Sequence, residues 1–314
     1  MNLLIGAMTI GLILALLALG VFITYRVFDR IDLTAEGSYG LGAAVAGVLL
    51  VRGTEPLLAT TCGAIAGAGA GVVTGLLRVW LGIPRLLAGI VTSTALYSVI
   101  LYLMHGGDLS LASRRTLVTI ADEIGSRLAG GTGDLVLFGT ATSSRNWMGL
   151  LLTFAVVAGV ALLLNLFLRT NLGLSIRATG NNRLMARAQG INVDQSLVLA
   201  LAISNGLIGL SGAIFAQFIG FVNISLGNGI IVTGLASLMI GEVLFGQRGV
   251  GRSITAAAAG AVVFRLMVAG ALHLGLDGNS LKLITAVFVV AAMVIPKAFR
   301  NLLQGPPSLD GRRV

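Results

Sequence analysis

The chain has 314 residues, of which 56% are hydrophobic and only 11% are charged. A mean hydropathy of +0.97 argues strongly against a soluble domain, because too little polar side chain is available to cover the surface. In a soluble protein the net charge of +9 would favour nucleic-acid binding. Here most basic residues lie in short loops between apolar runs, as on the cytoplasmic side of membrane proteins. We therefore expect an all-α polytopic membrane protein that contacts lipid and binds no nucleic acid.

Nine apolar segments are typical of membrane-spanning helices, and counts of eight or ten also fit the pattern. The first is interpreted as a retained span, because no Lys or Arg precedes it and it lacks a clear signal-peptide cleavage site. The second is short and rich in glycine, which favours a short or broken helix. The segments are 4–25, 36–51, 57–80, 84–104, 149–168, 196–222, 228–246, 252–274 and 280–298.

The distribution of basic residues predicts the orientation of the chain. With the N-terminus outside and the C-terminus inside, the inner loops and the tail hold most of the 21 basic residues, as the positive-inside rule requires. We expect one transmembrane domain over 1–314, with 105–148 as a periplasmic loop and 169–195 as a cytoplasmic loop. The 105–148 segment is longer than a connector needs, and it is either a docking surface or an irregular cap.

Four glycines recur at every fourth position in the third segment, at Gly63, Gly67, Gly71 and Gly75. On a helix they form one smooth stripe, which favours close packing against a second helix. A nucleotide-binding interpretation of this region is rejected, because no strand precedes it.

Motifs for chemistry within this chain are lacking. The sequence has no phosphate-loop motif, so we do not expect the chain alone to hydrolyse ATP. His105 and His273 are both expected at the outer ends of spans, where such rings are more typical of the membrane interface than of a metal site. We therefore predict no enzyme activity, no cofactor and no metal for this chain.

A short basic stretch, SIRATGNNRLMARAQGI at 175–191, stands out between the apolar runs. Asn181 and Asn182 indicate a turn and a helix cap, and Gly190 indicates a left-handed helix stop. The helix between them is too short to be stable alone. One face must therefore bury against a groove on a soluble partner, or against its own membrane domain or lipid. That face carries Leu184, Met185, Ala188 and Ile191.

The stretch GLSIRATGNNRLMARAQGI at 173–191 resembles the coupling-helix region of bacterial ABC importer permeases of the branched-chain amino acid and ribose type. The similarity narrows to the tryptophan/tyrosine transport permease branch and covers nearly the whole chain except 105–148. The stretches that resemble this branch are DLTAEGSYGLGAAVAG (32–47), LAGIVTSTALYSVILYLM (87–104), SNGLIGLSGAIFAQFIGF (204–221), GLASLMIGEVLFG (234–246) and LKLITAVFVVAA (281–292).

The resemblance implies an inner-membrane importer subunit for a small solute, an aromatic amino acid by analogy. It implies two permease copies, two separate ATPase subunits that bind ATP and grip the coupling helices, and a periplasmic solute-binding protein. Residues implied at the ATPase contact are Asn181, Asn182, Met185, Ala186, Ala188 and Gly190.

Polar residues at membrane depth are the candidates for a solute pathway. Asp32, Thr34, Glu36 and Ser38 either line a pathway at the second segment or form an ordinary loop and helix cap.

Glu242 and Arg265 are charges inside spans, and their expected heights differ by roughly 14 Å, too far for a direct pair. Arg265 either reaches outward or bonds helix carbonyls, or it faces a cavity and attracts the carboxylate of a solute. Glu242 leaves open an alternative function, an ion-coupled secondary transporter.

Overall fold

The computed structural model describes residues 2–28, 31–128, 134–137, 140–246, 249–274, 283, 285–288 and 290–291. Within these residues the chain is a bundle of helices with a few short strands. A π-helical segment, Ile23–Val27, extends the first helix. The helices are α1 Asn2–Phe22, α2 Thr34–Val51, α3 Pro56–Val79, α4 Arg85–Leu103, α5 Leu117–Leu128, α6 Ser144–Phe167, α7 Asn171–Asn181, α8 Arg183–Ala188, α9 Val193–Ile219, α10 Ile230–Phe245 and α11 Val250–His273; the strands are β1 Leu109–Ser110, β2 Asp134–Leu137, β3 Thr140–Ser143 and β4 Phe221–Val222.

Seven helices in the described part of the chain are long and apolar enough to cross a membrane: α1 with its π-helical extension, α2, α3, α4, α6, α9 and α11. They correspond to seven of the nine predicted segments. The predicted segment 228–246 forms α10, which has only 16 residues, and most of 280–298 lies outside the described residues. The total of nine spans and the orientation therefore stay predictions.

The second segment is short but not broken. It forms α2, a continuous helix of 18 residues. The irregular backbone lies instead before α10, where 223–229 connects β4 to the helix. Val222 lies beside Gly47, whereas the Gly229 amide donates to Glu36 Oε1 over 3.0 Å. Because 11 residues of helix separate Glu36 from Gly47, this connection runs about 16 Å along α2, and α10 begins inside the bundle.

Helix α9 lies at the centre of the bundle and packs against α1, α2 and α3. The glycine stripe of α3 faces it. A Cβ at Gly67 or Gly71 would collide with the carbonyl oxygens of Asn205 and Leu201, and one at Gly75 would lie 3.0 Å from Val198 Cα. Gly63, at the other end of the stripe, also approaches the Gly42 carbonyl of α2, at 2.7 Å from such a Cβ. Side chains on this stripe would push the helix backbones apart.

In the segment between α4 and α6, β1 and α5 fold against the end of the bundle opposite α8. β1 pairs antiparallel with β4, and β2 pairs antiparallel with β3. The Leu117 amide of α5 donates to Gln217 Oε1 over 3.0 Å, and Gln217 Nε2 donates to Thr60 Oγ1 over 2.7 Å. These bonds fix α5 to α9 and α3, so this part of the segment is more than a loose connector.

Candidate functional site

The α7–α8 hairpin is built by the local residues that the sequence singles out. Asn182 ends α7 and caps α8, since its Oδ1 accepts from the Met185 amide at 3.0 Å. Gly190 follows with a φ of +79°, a left-handed conformation that glycine adopts without steric cost. Asn181 is the exposed last residue of α7. The cap and the glycine stop together limit α8 to six residues.

The hairpin is held on the end of the first helix. Gly180 lies against the Val27 carbonyl, and a Cβ there would be 3.0 Å from Phe28 Cα. The guanidinium carbon of Arg183 lies 5.4 Å from the centroid of the Phe28 ring, within the range of a cation–π contact. The α7–α8 hairpin therefore packs directly on the end of the π-helical extension of α1.

The exposed face of α8 differs from the expected contact set at one residue. Leu184 and Met185 are 80% and 60% exposed, and Ala188 is exposed too. Ala186 is only 2% exposed, so it packs inside this chain and offers no surface to a partner. The reason is helical geometry: two residues turn a helix by about 200°, which places Ala186 opposite Leu184.

Three of the pathway candidates at the start of α2 are buried in a hydrogen-bonded cluster. Asn205 of α9 donates to Asp32 Oδ2 over 2.7 Å and accepts from Ser38 Oγ over 2.7 Å. Thr34 Oγ1 lies 2.8 Å from Thr74 Oγ1 of α3. Asp32, Thr34 and Ser38 thus connect α2 to α9 and α3, and in this conformation they form a structural joint.

Glu36 has a different environment. Its carboxylate accepts from the Gly229 amide at the start of α10, and it lines a cavity of about 230 Å³ with Tyr97 and Asn228. Of the four candidates in 32–38, it is the one that combines a cavity with a contact to irregular backbone. Backbone outside regular structure at membrane depth usually lies in protein or beside a water-filled cavity.

The two charges inside spans have separate surroundings, as their heights predict. Glu242 of α10 forms an ion pair with Arg26, with 3.3 Å between Oε1 and Nε, and its side chain is only 11% exposed. Arg26 belongs to the π-helical segment. Glu242 therefore joins α10 to the same part of the first helix that supports the α7–α8 hairpin.

Arg265 of α11 lines a cavity of about 380 Å³ between α1, α9, α10 and α11. Its side chain is partly buried, and its Nε has no hydrogen-bond partner among the described residues. Nε therefore bonds no helix carbonyl of the described residues in this conformation, and an outward reach of the side chain stays the open alternative. Phe215 and Phe264 lie on the wall of the same cavity.

Sequence reasoning missed the residues that complete these contacts, chiefly Asn205, Thr74 and Arg26. Asn205 had a detectable signal, because an amide within a long apolar span usually has a specific partner. Arg26 had no detectable signal in the sequence beyond its charge, because its partner Glu242 lies more than 200 residues away along the chain.

The helices and the exposed hairpin define a multi-pass membrane protein. Residues 3–295 match the family described as the permease component of branched-chain amino acid transport systems. The chain belongs to this family of ABC transporter permease subunits, which confirms the resemblance seen in the sequence.

Two relatives agree with this assignment, and one solved structure shares the fold. The chain is 36% identical to a tyrosine transport system permease protein of Clostridioides difficile over 91% of this chain and 89% of the relative. It is 30% identical to the autoinducer 2 import system permease protein LsrC of Yersinia enterocolitica over 74% of this chain and 58% of that protein. PsaBC from Streptococcus pneumoniae, solved in complex with Fab, has the same fold, with a TM-score of 0.53, 15% identity and coverage of 97% of this chain and 94% of that one.

Proposed function

We propose that this chain is the membrane-spanning subunit of a bacterial inner-membrane importer for an aromatic amino acid. Separate ATPase subunits bind ATP and contact α8. A solute-binding protein delivers the amino acid at the opposite end, and a second copy of this chain completes the pathway. The tyrosine permease relative supports the solute class, since it matches this chain over nearly its full length.

The observation that carries the ATPase contact is the exposed apolar face of α8. Leu184 and Met185 lie mostly uncovered on a helix whose two ends are fixed by Asn182 and Gly190. An apolar helix face of this kind fits a hydrophobic groove on a partner. Arg183 of α8 contacts Phe28 at the end of the first helix, and Arg26 of the same region pairs with Glu242 of α10. A force on α8 would therefore act on both α1 and α10, as ATP-driven movement of the membrane domain requires.

The secondary-transporter alternative depended on Glu242 as an ion-binding carboxylate. Its close pairing with Arg26 gives this side chain a structural partner instead. The importer is therefore the function that the geometry supports best.

Co-purification of the chain with its ATPase subunit tests the contact at α8. Met185→Asp places an unpaired charge in the proposed groove, so we expect at least about a tenfold loss of bound ATPase, as for an unpaired charge in an interface. Asn171→Asp is the matched control, because it adds the same charge to an exposed position on α7. Equal amounts of ATPase on Met185→Asp and wild type would remove α8 from the contact.

A further inference from the structure

The cavity beside Arg265 has the size of a site for a small molecule. Its volume of about 380 Å³ falls within the range of roughly 300–1,000 Å³ that is usual for such sites. Ile10 and Leu14 of α1 line one side, and the start of α10 lines another. Because α10 begins inside the bundle, the irregular backbone at Asn228 and Gly229 also borders the cavity.

Arg265 supplies the cavity with a cation that no described carboxylate neutralises. It lies eight residues before the end of α11 at His273, hence about 12 Å from that end. Its Nε is buried without a hydrogen-bond partner among the described residues. A cation in such a place is costly unless an anion or several hydrogen bonds accompany it.

Helix α1 supports the base of the Arg265 side chain. A Cβ added to Gly11 would lie 3.3 Å from Arg265 Cβ and 2.9 Å from Val262 Cα. The close approach of α1 to α11 leaves little space on that side. It thereby favours extension of the guanidinium toward the cavity that Arg265 lines.

Aromatic rings form a second part of the cavity wall. Phe264 precedes Arg265 on α11 and meets the ring of Phe288 edge-on, with 6.5 Å between centroids. Phe215 of α9 packs beside Tyr39, with 6.1 Å between centroids. The hydroxyl of Tyr39 is buried and has no hydrogen-bond partner in the described part of the chain. Such rings offer edge-to-face or stacked contacts to another aromatic ring.

We propose that this cavity binds the transported amino acid inside the membrane domain, with its α-carboxylate on Arg265 and its side chain against Phe215 and Phe264. The assignment of an aromatic side chain rests on the proposed function. The carboxylate contact rests on the cavity and on a guanidinium that pairs with no carboxylate of the described residues and whose Nε is buried without a hydrogen bond to them. A charge-assisted pair of this kind gives both affinity and orientation.

Chemical protection of Arg265 tests the site in the assembled transporter, with ATPase and binding protein in lipid vesicles. Phenylglyoxal modifies arginine, and mass spectrometry reports the modified fraction at Arg265 and, as an internal control, at exposed Arg52. We expect L-tyrosine to slow modification of Arg265 several-fold and to leave Arg52 unchanged. Tyramine, which lacks the carboxylate, should give no protection.

Uptake by variants provides the second measurement. Arg265→Leu should lower tyrosine uptake by roughly tenfold or more, since a charge-assisted pair in a low-dielectric site is lost. Arg265→Lys should retain clearly more uptake, because it keeps the charge. Arg52→Leu, at an exposed turn, should match wild type.

Each outcome decides the question. Equal modification of Arg265 with tyrosine, leucine, tyramine and no additive would overturn the site, as would wild-type uptake by Arg265→Leu. Protection by L-leucine but not L-tyrosine would keep the carboxylate site and contradict the aromatic solute of the proposed function. The protection arm uses wild-type protein, so it decides even if Arg265→Leu fails to reach the membrane.

Discussion

A single amide side chain, Asn205, holds the buried polar joint at the start of α2. It donates to the Asp32 carboxylate and accepts from the Ser38 hydroxyl, both over 2.7 Å. All three side chains are buried. Polar groups in such a place are stabilising only while each has its partner, so the contacts of Asp32 and Ser38 with α9 depend on this one residue.

We predict that Asn205→Leu destabilises the protein by roughly 2–4 kcal/mol, because two buried oxygens lose a hydrogen-bond partner at once. Thermal unfolding of the purified protein in detergent measures the change. Gln195→Leu is the control on the same helix, where the side chain is exposed, and its effect should stay within about 0.5 kcal/mol. Equal unfolding temperatures for Asn205→Leu and wild type would show that the cluster contributes little to stability.

At the scale of elements, the contact between α3 and α9 determines how closely the bundle packs. The four glycines of α3 spaced four apart meet α9 backbone or small residues along most of the helix. Gly69 belongs to the same helix but faces open space, with nothing within 4 Å of an added Cβ. The helix therefore contains its own control for the importance of the stripe.

Gly71→Ala should reduce stability by at least about 1–3 kcal/mol, since the added methyl group would overlap the Leu201 carbonyl and overpacking of a rigid contact has this cost. Gly69→Ala adds the same methyl group without a clash and should be neutral or stabilising by up to about 1 kcal/mol. Unfolding temperatures of the two variants give the comparison. If both lose stability equally, the stripe is not what limits the helix contact.

Local patterns in the sequence predicted the parts of the fold that depend on local physics. The spacing of Gly63 through Gly75 indicated a packing face, and Asn182 and Gly190 indicated the bounds of α8. The start of α10 inside the bundle was not predictable, because it depends on the distant Glu36 carboxylate. The burial of Ala186 was not predicted. Helix geometry places Ala186 opposite Leu184, but this six-residue helix has alanine on both its buried and its exposed face, so residue size did not indicate which face is buried.

At the scale of the whole molecule, α5 and α8 lie at opposite ends of the bundle. Helix α5 is bonded to Gln217 near the end of α9, whereas α8 lies just before the start of α9. If the N-terminus is outside, as the basic residues predict, α8 faces the cytoplasm and α5 faces outward. The arrangement suits the proposed importer, in which the binding protein and the ATPase bind on different sides of the membrane.

Cysteine labelling in intact cells tests this orientation. In a Cys62→Ala background, Glu123→Cys on α5 should react with a membrane-impermeant thiol reagent in intact cells. Asn171→Cys on α7, at the same end of the bundle as α8 but outside the proposed ATPase groove, should react only after the membrane is opened. Both positions are exposed, so access to the reagent decides the result. The reverse pattern would show that the predicted orientation is wrong.

ATP-driven uptake of L-tyrosine tests the central claim most directly. The chain is reconstituted in lipid vesicles with its ATPase on the α8 side and its binding protein on the other, and radiolabelled tyrosine inside the vesicles is counted. We predict accumulation that requires ATP and the binding protein, and that falls at least about tenfold in Met185→Asp, in which the contact at α8 contains an unpaired charge. Uptake that is equal without ATP, or unchanged in Met185→Asp, would contradict the account of an ATPase-coupled permease.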